Sequence, residues 1–362
     1  MADGYRKVDY AASGAQAIAD AFANQVAYCE ANGAVITGRV CAALRDLLET
    51  DGGGAVLDRV RAWPGSPLAD ALPLRLAGGL HALHLSGQEP ELAPVYAGAD
   101  SVDVRGTIAG VLARREADLL PWLDGPPQTN EAGRSASFIA AMLWLADEGL
   151  PARFECLEIG SSAGINLMLD RYHYDLGGVE VGPRDAAMRI APRWIGAPPP
   201  AQGIEFTGLR GCDVAPVDLT DPAQALRLRA YIWPDAHERF ARMDAAIAAA
   251  VVRKPDIADM NAADFVDAQL ALPQVSGTTR VLMHSIVWQY VPADQQARIT
   301  AAMEAAGARA SADRALAWIA LEANRTQLKH ELVVRHWPGD GEPVMLARAH
   351  AHGAEVEWLQ SS

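Results

Sequence analysis

The stretch 154–174, FECLEIGSSAGINLMLDRYHY, gathers the residues best suited to chemistry. A short apolar run ends in Glu158, and only small residues follow: Gly160, Ser161, Ser162, Ala163 and Gly164. A carboxylate at that point suits a cationic ligand. Small side chains let a ligand come close to the backbone, and Gly160 is free to take a positive φ where the strand ends. From about Ile165 the pattern reads as an amphipathic α-helix. Its first N–H groups have no intrahelical partners and are expected to face a ligand. Strand, glycine turn and helix start, in that order, are how an α/β sheet builds a nucleotide site.

Two family patterns share these residues. The turn resembles the glycine motif of class I S-adenosylmethionine (SAM) methyltransferases, acid-x-Gly-x-Gly-x-Gly. Here the positions read Glu158, Gly160, Ser162 and Gly164, with a serine in place of the middle glycine. It also resembles the Gly-x-Ser-x-Gly nucleophile elbow of α/β-hydrolases, with Ser162 as nucleophile and a downstream histidine as partner. His284, His330, His336, His350 and His352 keep that alternative open. A third alternative is a non-catalytic protein that binds SAM or another nucleoside. Glu158 favours the SAM pattern, because a carboxylate suits a ligand carrying an ammonium and a sulfonium, and an elbow has no need of it. On this resemblance Glu158, Gly160, Ser161, Ser162 and Gly164 are cofactor-binding, and a larger residue at 160 is expected to block the ligand while leaving the fold intact.

The resemblance assigns further roles. An acid ending the second strand binds ribose hydroxyls; Asp213 is the candidate and Asp218 the reserve, although segment 175–203 lengthens the usual spacing of about 20 residues from the glycine loop. Asp264 lies where such enzymes place an acid near adenine, or else serves as a helix cap. In HSIVWQY, 284–290, His284 is the candidate general base. Tyr290 joins it as a catalytic candidate, and Trp288 and Gln289 as substrate contacts; the alternative for the aromatics is core packing. Asn130, Glu131 and Arg134 either cap the following helix or contact substrate, with Arg134 able to grip a carboxylate or phosphate bidentately. His350 and His352, two residues apart, are expected to share one strand face. Trp233-Pro234-Asp235 interrupts a helical pattern and marks a turn or a kink, and Asp235, followed by His237 and Arg239, reads as a cap on a solvated face. No third metal ligand is placed by the sequence, so no metal site is expected.

Composition narrows the classes. The chain has 362 residues and a net charge of −14, half of its residues are hydrophobic, and lysine occurs only at 7, 254 and 329. Without clustered basic residues, nucleic acid is an unlikely class of partner, and a small-molecule acceptor is expected. No apolar run reaches the ~18 residues of a membrane span. The first residues lack the apolar core of a signal peptide. Cys29, Cys41, Cys156 and Cys212 are scattered, with no C-x-x-C pair, which fits reduced cytoplasm.

Periodicity divides the chain. Residues 1–150 read as helices, at 10–32, 37–50, 55–63, 68–85, 102–115 and 134–148, with a break at 51–54. From 151 to 362 strands and helices alternate. Strands are expected at 154–159, 204–209, 257–262, 279–284 followed by 286–287, and 316–321, helices at 221–250 and 293–306, and a closing hairpin around 338–341. Segment 175–203, rich in Gly and Pro, reads as an insertion with little regular structure. Little room for a helix remains between the fifth strand and the hairpin. The fold class is therefore α/β. A mostly parallel, Rossmann-like methyltransferase sheet with an antiparallel C-terminal hairpin follows an all-α N-terminal domain. The stretches QTNEAGRSA (128–136), LEIGSSAGINLMLDRYHY (157–174), RGCDVAPVDL (210–219), YIWPDAHERFARMDAAI (231–247) and HSIVWQYVP (284–292) carry a resemblance to an uncharacterised bacterial family. The residues around Glu322, HWPGD and AHAHG add to it. The resemblance implies a helical half and a methyltransferase-like half, and no established activity.

Overall fold

The structure, a computed structural model, describes residues 12–361 except 51, 53 and 325–328. The starts of the expected 10–32 helix and of the 51–54 break therefore lie outside the described residues. The chain opens with helices: α1 (Ala15–Ala31), α2 (Val35–Leu48), α3 (Gly54–Arg61), α4 (Leu72–Leu85), α5 (Ala93–Tyr96), α6 (Val104–Arg114), α7 (Glu116–Leu119) and then α8 (Ser135–Asp147). Strands follow: β1 (Arg153–Ile159), β2 (Tyr172–Leu176), β3 (Val179–Val181), β4 (Met188–Ile190), β5 (Arg193–Ile195) and β6 (Glu205–Asp213). Next come α9 (Pro222–Ala230), α10 (His237–Val252), β7 (Asp256–Asp259), α11 (Ala262–Leu270), β8 (Thr278–Ser285) and α12 (Ala293–Gly307). The chain ends with β9 (Arg314–Asn324), β10 (Lys329–Trp337), β11 (Val344–Ala349) and β12 (Glu355–Trp358). Two compact units result. One is Met1–Thr129 with Pro222–Ala241; the other is Asn130–Asp221 with Arg242–Ser362.

In the first unit the regular elements among the described residues are all helical. Apolar residues at helical spacing (Ile18, Phe22 and Cys29 on α1; Val40, Leu44 and Leu47 on α2) make the buried stripes. They close around α4, which is buried along most of its length. Two glycines there admit large neighbours: a Cβ on Gly78 would sit 2.7 Å from the Tyr231 ring, and one on Gly79 2.9 Å from Leu119. Asp235 does cap a helix, but not its own. Its carboxylate accepts the N–H groups of Ile36 (2.9 Å) and Thr37 (3.2 Å) at the start of α2.

The second unit is built on a nine-stranded sheet ordered β5-β12-β11-β10-β9-β8-β1-β6-β7. The pairs from β7 through β6, β1 and β8 to β9 are all parallel. β10, β11 and β12 then add on antiparallel, and β5 pairs parallel to β12. β8 is buried at every residue, as expected of a strand covered on both faces. Its one cation, Arg280, is satisfied by Glu155 (2.9 Å) and by the carbonyls of Gln269, Leu272 and Pro273. α11 and α12 cover the sheet face that carries Leu157, Ile159, Leu282 and Trp318. Glu158 alternates with its neighbours and points to the other face.

Three expectations need correction. No α-helix follows the glycine turn: Asn166–Arg171 is a short 3-10 helix that runs directly into β2. The Tyr172 hydroxyl donates to the Ile165 carbonyl (2.9 Å) and the Tyr174 hydroxyl to that of Leu169 (3.0 Å), taking acceptors that a continuing α-helix would use. Segment 175–203 is not irregular either. β2, β3 and β4 form a small second sheet, and β5 joins the large one. The fourth strand does not continue through 286–287, because β8 stops at Ser285 and Ile286 turns the chain with φ 54°. The interruption that Trp233-Pro234-Asp235 marks in the 221–250 run is present, between α9 and α10. The reduced crossover after the fifth strand is real, since four residues separate β9 from β10.

Candidate functional site

Chain order reverses direction across the sheet between β1 and β8, the switch point where open α/β sheets bind ligands. Glu158 sits there, one residue from the end of β1, and is 1% exposed. Asn166 Nδ2 donates to its Oε1 at 3.0 Å. Its Oε2 is buried without a partner, as are Asn166 Oδ1 and Ser162 Oγ. Burial pushes the Glu158 carboxyl up to about 8, against the pull of the Asn166 and Ser161 hydrogen bonds and the Arg134 charge.

The turn after Glu158 is tight. Gly160, Ser162 and Gly164 all have positive φ, at 66°, 52° and 69°. Most of its N–H groups are bonded within the protein. Ser161 donates to the Cys212 carbonyl (3.0 Å), Ser162 to Asp213 Oδ2 (2.8 Å), Gly164 to the Ser161 carbonyl (2.8 Å) and Ile165 to Asn130 Oδ1 (2.9 Å). The expected row of free donors is therefore absent at these four positions. Asp213 does end β6 beside the loop, and there it takes backbone N–H groups on both oxygens, from Ser162 and from Ala215 (2.9 Å). Gly211 is needed for this approach: a Cβ would lie 2.0 Å from Ser161 Oγ. Asp218 follows Val217, whose N–H donates to the Ser162 carbonyl (3.0 Å), and the Lys254 ammonium at 2.7 Å holds its carboxyl well below the ordinary carboxylate range.

β8 delivers the second group of candidates. His284 is 1% exposed and bonded at both ring nitrogens. The Trp318 indole N–H, a donor only, lies 2.9 Å from Nε2, so the proton is on Nδ1 and is donated to Glu322 Oε1 at 2.7 Å. With the Nε2 lone pair taken, this geometry gives His284 a holding role. Glu322 Oε1 also accepts the N–H groups of Val287 (3.1 Å) and Trp288 (3.2 Å). Trp288 stacks on His284, with ring centroids 5.1 Å apart. Gln289 is exposed, and Tyr290, 75% exposed, stands at the surface of the same turn.

The 130–134 segment reaches both groups from inside the protein. Asn130 holds the glycine loop. Glu131, 4% exposed, pairs with Arg242 at 3.1 Å. Arg134 donates to the Ala351 carbonyl (2.8 Å) and lies 3.5 Å from Ser285 Oγ. Gly133 makes room for this packing, since a Cβ there would come within 2.5 Å of the His352 carbonyl. Arg134, His284 and the glycine loop are thus gathered at one end of the sheet. Asp264 is apart from them on the surface of α11, where it pairs with Arg298 at 2.7 Å while Asn261 caps the helix. His350 and His352 do not share a strand face, because β11 stops at Ala349; their rings meet edge-on at 5.5 Å in the following loop. Among the described residues no three His, Cys, Asp or Glu side chains gather around a point that could hold a metal.

Asn166, Gly211, Val287 and Glu322 had no assigned role. Glu322 carried a signal, a lone carboxylate near the end of an apolar strand, LAWIALEAN. Val287 carried none, yet it fills the space over Gly160: a Cβ on Gly160 would lie 2.3 Å from Val287 Cγ2. A larger residue at 160 would therefore meet both that contact and a φ of 66°, so it would disturb the fold itself.

No helix among the described residues is long and apolar enough to cross a membrane. Neither a curated protein nor a solved structure matches the chain. One family does match, over residues 19–358, and on that span the chain belongs to the uncharacterised proteins conserved in bacteria grouped as DUF2332.

Proposed function

We propose that the second unit binds SAM or a close nucleoside relative at the carboxyl ends of β1, β6 and β7, and that the protein is a SAM-dependent methyltransferase acting on a small acceptor. The observation that carries this reading is the buried Glu158 oxygen left without a partner at the switch point. A buried carboxyl oxygen without a hydrogen-bond partner is costly, and a ligand ammonium would supply one while drawing the group into its charged form. The parallel strands also run in the order third, second, first, fourth, fifth, as in a Rossmann-like methyltransferase sheet. Asp213 keeps two lone-pair directions for ribose hydroxyls beyond the two N–H groups it accepts. Exposed Val214 and Met260, with the Met260 N–H on the Asp213 carbonyl, offer an apolar edge for a base.

The residues fit such a ligand in their polar atoms. In space they fit only with Val287 displaced from Gly160. Bound SAM would supply an electrophilic methyl on a sulfonium. The protein's share is then to place an acceptor in line and to exclude water, since an in-line displacement gains most from positioning. His284, tied to Trp318 and Glu322, contributes by fixing the turn that carries Trp288, Gln289 and Tyr290. Isothermal calorimetry with SAM and S-adenosylhomocysteine is the direct test. Heat of binding that is lost in Glu158→Gln is expected; no heat at millimolar ligand would remove the reading's support.

One observation favours a second reading. Ser162 takes φ 52°, a left-handed value that a hydrolase nucleophile on a tight turn also adopts. Its Oγ, however, has no hydrogen-bond partner, and a nucleophilic serine needs a base within reach.

A further inference from the structure

The turn after β8 is held in place more firmly than its exposure requires, and it stands where a ligand would go. Ile286 has φ 54°. A β-branched side chain in the left-handed region is a steric outlier that persists only when the surroundings impose it. Here they do so from two sides: the Ile286 N–H donates to the Leu321 carbonyl at 3.0 Å, and Glu322 Oε1 takes the next two N–H groups while gripping His284. The product of this strained turn is the placement of Val287 against Gly160, where a Cβ would have only 2.3 Å. The residues carrying the partnerless oxygens, Glu158, Asn166 and Ser162, flank Gly160 in the same strand end and loop. Beyond it, Gln289 and Tyr290 are exposed, and Gln296 Nε2 pins the far end of the turn by donating to the carbonyls of Trp288 (2.8 Å) and Val291 (2.9 Å).

We infer that residues 286–290 form a gate over the glycine loop, closed by Val287 on Gly160 and latched by Glu322. The inference rests on the proposed ligand site for what enters, and on the turn's own geometry for the gate. Opening releases the Ile286 backbone from its left-handed conformation, which offsets part of the hydrogen bonding lost at Glu322. Strain and latch therefore oppose each other. A turn so balanced can populate an open state, and the apparent affinity of a ligand then falls by the fraction that is open.

Two substitutions move the balance in opposite directions. Glu322→Ala removes the latch, and Ile286→Gly removes the strain, because glycine accepts φ 54° without penalty. Amide hydrogen exchange of residues 287–290 on the ligand-free full chain reads the gate without any ligand. Exchange about tenfold faster in Glu322→Ala and about tenfold slower in Ile286→Gly is expected. Val287→Ala is the third variant, and calorimetry with S-adenosylhomocysteine should show it binding about tenfold tighter than the unaltered protein. Unchanged exchange in both Glu322→Ala and Ile286→Gly, with each variant folded by circular dichroism, would overturn the gate. Equal affinity in the unaltered protein and Val287→Ala would also overturn it while leaving the ligand site standing. Exchange that shifts as expected, with no heat in any variant, would keep the latch and remove the nucleoside.

Discussion

Glu158 carries opposing demands. Burial raises its carboxyl from the ordinary 4.5 to about 8, so at neutral pH the folded protein holds a proton there that the unfolded chain would give up. Folding thus takes up a proton between those two values, and the fold loses stability as pH rises through that window. Melting temperature should fall from pH 5 to pH 9, and Glu158→Gln should flatten that slope; an equal slope in both proteins would deny Glu158 the role. A cationic ligand would reverse the preference by favouring the charged form, so its affinity should increase with pH over the same range. Ser162 offers a second test at this scale. A fluorophosphonate probe should leave it unlabelled, because nothing within hydrogen-bond reach can take its proton; labelling that vanishes in Ser162→Ala would promote the hydrolase reading. Glu158 and the glycines stand out from the sequence by type and spacing. Asn166 does not, since its value lies in one bond to Glu158 that only the 3-10 turn creates.

Strands were the most legible elements. β1, β8 and β9 are apolar runs with short breaks, and a strand buried on both faces has no other pattern to show. The 3-10 turn at Asn166–Arg171 was not legible, because the residues that end it, Tyr172 and Tyr174, act through their hydroxyls on carbonyls seven and five residues back, respectively. The strands of 175–203 were hidden for a different reason. Three of them are only three residues long, and pairing across the sheets, not local propensity, makes them strands. Arg280 shows what an apolar strand does with an inward charge. Glu155, the Gln269 carbonyl in the last turn of α11 and the loop carbonyls of Leu272 and Pro273 surround it, which ties β8 to β1 and to the end of α11. Arg280→Met should leave those acceptors unsatisfied and lower stability by about 3 kcal/mol in denaturant unfolding. A loss under about 1 kcal/mol would mean that water replaces the guanidinium at little cost.

At the scale of the whole molecule, the two compact units are not two consecutive lengths of chain. Residues 222–241 belong with the first 129, so the chain passes from one unit to the other at 129–130, at 221–222 and at 241–242. Leu228, Tyr231 and Ile232 in the returning piece are buried, and Tyr231 meets the Trp122 ring edge-on at 5.3 Å. A fragment starting at Asn130 would keep those apolar side chains and lose Trp122. Size-exclusion chromatography should show it aggregated, and replacing 222–241 by a flexible Gly/Ser linker of about 10 residues should restore a single peak. Identical profiles for the two fragments would mean that the returning piece, cut off from its own unit, is not what makes the fragment aggregate.

That interleaving also bears on how the chain can be cut and inherited. One break in the backbone cannot divide it into a complete first unit and a complete second one, so neither can be lent to another gene as a single contiguous cassette. Any exchange of the sheet-bearing unit for a different one must respect three seams, two of them around the α9 segment, and a protease that nicks only one junction will leave fragments that still hold each other's residues.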